Sequence, residues 1–151
     1  IDRLAKEGDP KRFKFAKPSV DGFNYSFSGL KTSFLYFLRD RIHEDPRFID
    51  ANKADLCASL QATIIDILLA KLVRAAKQYD IRDIAIAGGV SANSGLRDAI
   101  AEEGRKRGWR TFLPEFRFTT DNAAMIAVTG YFKYQRGAPM DISPVARISR
   151  M

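Results

Sequence analysis

The chain has 151 residues, a formal charge of +7, 46% apolar residues and 28% charged ones. With 11 Phe and 5 Tyr these proportions exclude a disordered chain and describe one ordinary domain or a lobe of a larger protein. A single cysteine, Cys57, excludes an internal disulfide, and a single histidine, His43, excludes a His-pair metal site within the chain.

The basic excess favours anionic partners such as nucleic acid or nucleotide. The cations are dispersed, from Lys11, Arg12, Lys14 and Lys17 to Arg105, Lys106, Arg107 and Arg110, and fit a solvated surface equally well. No stretch approaches the ~18 apolar residues of a membrane span. The polar start Ile1-Asp2-Arg3-Leu4 lacks the apolar region of a leader. No membrane association and a cytoplasmic location are therefore expected, and a chain beginning on Ile is expected to be an excerpt of a longer one.

Residues 2–7 are expected to finish a helix stopped by Gly8 and Asp9-Pro10. Phe23-Asn24-Tyr25-Ser26-Phe27 alternates like a strand with its aromatics on one face. Leu30, Phe34, Phe37, Leu38 and Ile42 recur at helical spacing until Glu44-Asp45-Pro46. The strongest helix carries Leu56, Leu60, Ile64, Ile67, Leu68 and Leu72, with Asn52 or Asp55 as its cap and an end near Gln78. Its broad stripe marks a buried packing helix. A strand over 81–87 breaks at Gly88-Gly89, and Ser91-Ala92-Asn93-Ser94 leads into a helix with Leu96, Ala99 and Ile100. Trp109 to Leu113 reads as a second strand closed by Pro114. A last helix starts near Thr120-Asp121, carries Ala124, Met125, Ala127, Val128 and Tyr131, and ends at Gly137-Ala138-Pro139. The tail from Met140 is expected to be a surface strand or loop. This order implies an α/β layer architecture with a mainly parallel sheet.

The segments with chemistry lie at the junctions. In Ala87-Gly88-Gly89-Val90-Ser91-Ala92-Asn93, a buried strand enters a glycine turn and then a helix. Glycines let backbone approach a ligand, and the helix start offers unpaired N–H groups and a positive dipole end, which together suit phosphate or another polar nucleotide group. Asn93 adds an amide that donates and accepts. The same pattern also serves a tight turn with a Ser or Asn cap. In Phe118-Thr119-Thr120-Asp121-Asn122-Ala123-Ala124-Met125, Thr120 is expected to cap the helix with Asp121 in its first turn. Asp121 is then either a helix-start device or one metal ligand of a site completed elsewhere, since one carboxylate cannot build such a site. Tyr25 to Thr32 is a strand–turn–helix junction whose Lys31 either meets an anion or stands in solvent. His43 reads as a surface residue and Cys57 as a small core residue.

Taken together, Ser26-Phe27-Ser28-Gly29-Leu30-Lys31-Thr32, Ala87-Gly88-Gly89-Val90-Ser91-Ala92-Asn93 and Thr120-Asp121-Asn122-Ala123-Ala124-Met125-Ile126-Ala127 closely resemble the TsaD family in order and separation. These are the tRNA adenosine threonylcarbamoyltransferases, formerly described as O-sialoglycoprotein endopeptidases or glycoproteases. The resemblance covers almost the whole chain. It implies a lobe of an actin-like ATPase, Hsp70 and sugar-kinase (RNase H-like) fold, with residues 1–151 forming the C-terminal part of a two-lobed transferase whose N-terminal lobe is absent. It implies transfer of a threonylcarbamoyl group from threonylcarbamoyl-AMP to the adenosine adjoining the anticodon. Asn93 then matches the asparagine that contacts the nucleotide-type ligand, with Gly88, Gly89 and Ser91 around it, and Asp2 is matched to an acidic residue near the ribose. Asp121 matches the family's aspartate ligand to one divalent metal, iron or zinc, whose other ligands are the histidines of an H-x-x-x-H motif. That motif is missing here, because His43 is the only histidine. The isolated chain is accordingly expected to be inactive and to hold metal weakly. Implied partners are tRNA, a paralogous subunit and a small ATPase. Alternatives are a metalloendopeptidase, for which no H-E-x-x-H exists, and a non-catalytic assembly paralogue, which would need neither the GGVSAN nor the TDNA motif.

Overall fold

Residues 1–138 are described by a computed structural model. Helices α1 (Asp2–Ala5), α2 (Ser28–Glu44) and α3 (Phe48–Gln78) precede a strand–helix–strand unit of β1 (Asp83–Ala85), α4 (Ser94–Arg107) and β2 (Arg110–Phe112), followed by α5 (Ala123–Gln135). The expected tail from Met140, and Pro139 before it, lie outside the described residues.

Helix α3 is the axis on which two cores assemble. Towards its start, Leu56 and Ile67 are buried with Phe15 and Leu30. Phe13, Phe34, Phe37 and Phe48 close over them, with Phe15 meeting Phe34 edge-on at 5.1 Å and Phe37 at 5.4 Å. Towards its end, Ala76 joins Ile84 of β1 and Leu96 and Ile100 of α4, flanked by Leu68, Leu72 and Trp109. Asn52 leaves helical dihedrals (φ −121°, ψ 17°), so the regular helix restarts there. Asp55, the other expected cap, instead accepts from the Asp9 N–H at 2.8 Å. Length and composition alone would let α3 cross a membrane, which corrects the expectation that no stretch comes near. Here that stretch packs on α1, α2 and α4.

The strand expected over Phe23–Phe27 does not form. Strand backbone needs a partner strand for its polar groups, and this segment is instead tied to α3, beginning with the carbonyls just before it. Lys71 Nζ donates to Val20 O at 2.5 Å and Gly22 O at 2.8 Å, and Arg74 Nη2 donates to Gly22 O. The aromatics follow: Phe23 lies under the Arg74 guanidinium at 4.9 Å, and Tyr25 donates its hydroxyl to Leu68 O at 3.2 Å. The alternation reflects docking on a helix rather than a pleat.

The parallel pairing is as expected, with Asp83 opposite Arg110, Ile84 opposite Thr111 and Ala85 opposite Phe112. Among the described residues the sheet is covered on one face only. Ile84 is buried, whereas Ala85, Ala87 and Phe112 are exposed, so the strand before the glycine turn is half-covered rather than buried. Helix α5 forms close to where it is expected. Its Met125, Val128 and Tyr131 are all exposed, and none of its residues is buried.

Candidate functional site

Strand β1 delivers the chain into a turn that glycine makes accessible. Gly88 has φ 80° and ψ 172°, a region closed to residues with a Cβ. A 3-10 turn over Gly89–Ala92 follows. Ser91, 2% exposed, locks it from within, its N–H and its hydroxyl both donating to Gly88 O, at 2.9 and 2.7 Å. Gly88, Gly89 and Val90 remain on the outside.

Asn93 ends the turn and caps α4. Its Oδ1 accepts from Leu96 N–H at 2.8 Å, and its Nδ2 donates to Gln61 Oε1 of α3 at 2.6 Å. The half-buried amide is thereby fixed in orientation. Gly95 lets the helices come together, because a Cβ there would stand 2.6 Å from Gln61 Nε2.

The first turn of α4 is not the open cradle that its sequence suggests. Both Asp2 carboxylate oxygens accept from Ser94 N–H, at 3.2 and 3.1 Å, and Oδ1 also accepts from Ser94 Oγ at 2.9 Å and from Gly95 N–H at 3.5 Å. Leu96 N–H goes to the Asn93 side chain and Asn93 N–H to Val90 O at 3.0 Å. Each of the four N–H groups a helix start leaves unpaired therefore has an acceptor inside the chain. Partial desolvation pushes the Asp2 pKa up, but the donors from Ser94 and Gly95 and the nearby Lys6 outweigh it, and the carboxyl sits below its ordinary value.

Arg97 joins this turn to the segment beyond β2. Its Nη1 donates to Ser91 O at 3.0 Å and its Nη2 to Pro114 O at 2.7 Å, with the guanidinium 4.6 Å above the Phe116 ring. The strands are parallel, so both loops leave the same, carboxyl edge of the sheet, where ligands of α/β folds bind. Thr119, buried, turns its hydroxyl onto Phe116 O at 2.8 Å. The cap of α5 is Asn122 rather than Thr120, its Oδ1 accepting from Met125 N–H at 3.1 Å. Asp121 consequently precedes the cap, outside the first turn, and is exposed. Among the described residues no three metal-ligating side chains cluster. This chain offers Asp121 as one donor and does not by itself fit a metal centre.

The remaining candidates take ordinary places. Ser28 opens α2 directly from loop, and Thr32 returns its hydroxyl to Ser28 O at 3.1 Å. Lys31, Phe27, Leu30, Phe34, Ile64 and Val90 line an apolar groove of about 550 Å³ beside the glycine turn. His43 is exposed, and Cys57 is half-buried rather than in the core. Gln61 and Arg97, which hold the turn, went unnoticed in the sequence. Gln61 looks like the polar edge of an apolar stripe, and the only trace of Arg97 is its place one turn after Asn93.

Residues 1–128 match the family model TsaD, described as tRNA N6-adenosine threonylcarbamoyltransferase. A protein of that name from Porphyromonas gingivalis is 59% identical over 151 residues, covering 99% of this chain and 44% of the relative. Those from Phocaeicola vulgatus and Christiangramia forsetii are 61% and 54% identical, over 89% and 97% of this chain and 40% and 43% of theirs. The chain thus spans less than half the length of these curated relatives. With identity above half along nearly all its length and a family match that runs through the glycine turn and the Asp121 segment, the chain belongs to the TsaD family.

Proposed function

We infer that this chain forms the C-terminal lobe of a tRNA-modifying acyltransferase of the actin-like ATPase, Hsp70 and sugar-kinase fold. The reaction moves a threonylcarbamoyl group from threonylcarbamoyl-AMP to the adenosine adjoining the anticodon. The adenosine amine forms a bond to the carbamoyl carbon, the bond from that carbon to the phosphate oxygen breaks, AMP leaves, and the amine gives up a proton. The observation that carries this reading is the Arg97 staple, which sets the Gly88–Asn93 turn and the approach to Asp121 along one sheet edge. A lobe that only scaffolds needs no such alignment.

In this reading Gly88 and Gly89 bring bare backbone to the donor adenylate, Ser91 keeps the turn closed, and the Asn93 amide, held by Gln61, meets the nucleoside portion. Asp2 stands behind them at the base of α4. Asp121 supplies one donor to a divalent metal, iron or zinc, and residues outside this chain supply the others. Such a metal polarises the carbamoyl group when bound. tRNA, a paralogous subunit and a small ATPase are the partners, in the cytoplasm.

The test is transfer of labelled threonylcarbamoyl to tRNA by a full-length protein carrying these residues. Asp121→Ala is expected to lower it about a hundredfold or more, the several kcal/mol that charge stabilisation at such a site supplies, with unchanged thermal unfolding. Asn93→Asp keeps the cap acceptor, removes the amide donor, and is expected to weaken adenylate binding. The 151-residue chain alone is expected to show no transfer. Normal transfer by Asp121→Ala would remove that residue from the site. Peptide hydrolysis without transfer would replace the reading with a peptidase.

A further inference from the structure

We propose that the clefts along one face of α3 form a basic track that takes the phosphate backbone of an RNA. Three clefts follow one another beside this helix. The first is lined by Lys11, Lys14 and Lys17 against Asp66. The second shares Lys17 and Asp66 with it and adds Lys71, Glu103 and Arg107. The third shares Arg107 and adds Lys77, Arg82 and Asp80. Seven cations thus face three carboxylates, and the excess of four is more than half of the chain's charge of +7. The α3 residues that floor the track, Thr63, Asp66, Ala70, Val73 and Lys77, recur at intervals of three and four, as one helix face does, over about 21 Å.

Much of this charge is uncommitted. Lys17 pairs with Asp66 and Arg107 with Glu103, both at 2.7 Å, and Lys71 is spent on Val20 O and Gly22 O. Lys11, Lys14, Lys77 and Arg82 are exposed and, among the described residues, have no ion pair. On α2, by contrast, Arg39 is matched by Asp40 and Arg41 by Glu44. Helix dipoles account for Lys77 and Arg107, which sit in last turns, and for none of the loop cations. Cations strung along an open furrow suit a polyanion with charge at regular intervals, whose neutralised phosphates release counterions. A lipid surface is held when an apolar face accompanies the cations, and α3 spends its own on the two cores. The track also leads to the candidate site. Thr63 lies two positions beyond Gln61, which holds the Asn93 amide, whereas Arg82 stands just before β1 at the opposite, amino edge of the sheet. Resting on the transferase reading above, the RNA is the tRNA substrate, and the track holds its body while the adenosine reaches the turn.

Binding of a fluorescein-labelled tRNA transcript to a full-length protein carrying these residues, over a series of salt concentrations, tests this. Lys14→Gln, Lys77→Gln and Arg82→Gln combined remove three of the uncommitted cations. They are expected to weaken binding at least about tenfold at about 0.1 M salt and to make the slope of log K against log salt shallower by about 2. In the transfer assay KM for tRNA is expected to rise with kcat unchanged. The charge-matched control Arg39→Gln, Arg41→Gln and Lys53→Gln is expected to bind like the wild type. Should the track variant fail to fold, lysine acetylation of the wild type decides: tRNA must protect Lys14 and Lys77 and leave Lys53 unprotected. Unchanged affinity in the track variant, an equal loss in the control, or equal acetylation of Lys14 and Lys77 with and without tRNA would overturn the proposal. Loss of binding to phosphatidylserine vesicles in place of tRNA would overturn it too, in favour of a membrane. Any of these failures with transfer intact leaves the transferase reading standing. A track that binds tRNA in a full-length protein without transfer would sink that reading and keep this one.

Discussion

Two of the three junctions that carry the family motifs are built in opposite ways. At the glycine turn each polar side chain named has a partner: Ser91 is bonded to Gly88 O, Asn93 to Leu96 and Gln61, and Asp2 to Ser94 and Gly95. The helix that follows is anchored by Leu96 and Ile100 in a core. At the second junction Asn122 provides a cap, but Asp121 is exposed and the helix it introduces buries nothing among the described residues. A site can therefore be pre-formed on one side and depend on groups from elsewhere on the other. Preorganisation belongs where orientation must be fixed before the ligand arrives, and the Asn93 amide is such a group.

The contrast is tested first by truncating an apolar side chain in each helix. Ile100, 2% exposed, packs in the core under α4, whereas Ile126 is 76% exposed on α5. In urea unfolding of the chain, Ile100→Ala is expected to cost about 2–5 kcal/mol, and Ile126→Ala no more than about 0.5 kcal/mol. Equal costs would show that α5 is covered and that the comparison fails.

The two asparagine caps sharpen it further. Both accept from the N–H three residues on, Leu96 for Asn93 and Met125 for Asn122. Both also spend the amide nitrogen, but Asn122 donates locally to the exposed Thr120 O at 2.9 Å, whereas Asn93 donates to the half-buried Gln61 of another helix. Asn122→Ala is expected to cost about 0.5–1 kcal/mol, the ordinary value of a cap. Asn93→Ala is expected to cost about 1–3 kcal/mol, since it also leaves Gln61 Oε1 without its donor. Gln61→Ala should recover part of the difference in a double-mutant cycle, and a coupling near zero would mean that the 2.6 Å bond contributes nothing.

The same contrast explains what could be read in the sequence. Periodicity alone located α2, α3 and α4, because each has a stripe that finds a core, and Leu30, Leu56 and Ile100 are buried as their spacing requires. It placed β1, β2 and their parallel pairing from apolar runs bounded by Gly88 and Pro114. Alternation at Phe23, Tyr25 and Phe27 misled, because period two is also produced by an irregular segment whose aromatics dock on Arg74 and Leu68. The capping residue of α5 was missed by two positions, since Thr120 and Asn122 are both good caps and only backbone geometry chooses between them. The wiring of the turn was illegible for a different reason. Asp2 and Gln61 reach Ser94 and Asn93 across 92 and 32 residues, and no local pattern records contacts of that range.

The smallest expected effect isolates Asp2, and its sign is set by linkage. Burial raises the carboxyl pKa, but Ser94, Gly95 and Lys6 lower it more, so the folded value lies below the unfolded one. A group of this kind stabilises the fold fully above its unfolded pKa and loses that contribution as pH falls through the folded pKa. The window thus starts at the ordinary carboxylate value and extends downward. Asp2 is partly exposed, so solvent screening keeps the contribution to a fraction of about 1 kcal/mol. Stability of the wild type measured in urea should fall more steeply than that of Asp2→Asn across this acid range, the two curves running parallel above it. Parallel curves throughout would mean that the Ser94 and Gly95 donors do not favour the ionised carboxylate, and the wired junction would then lose its electrostatic component while keeping its geometry.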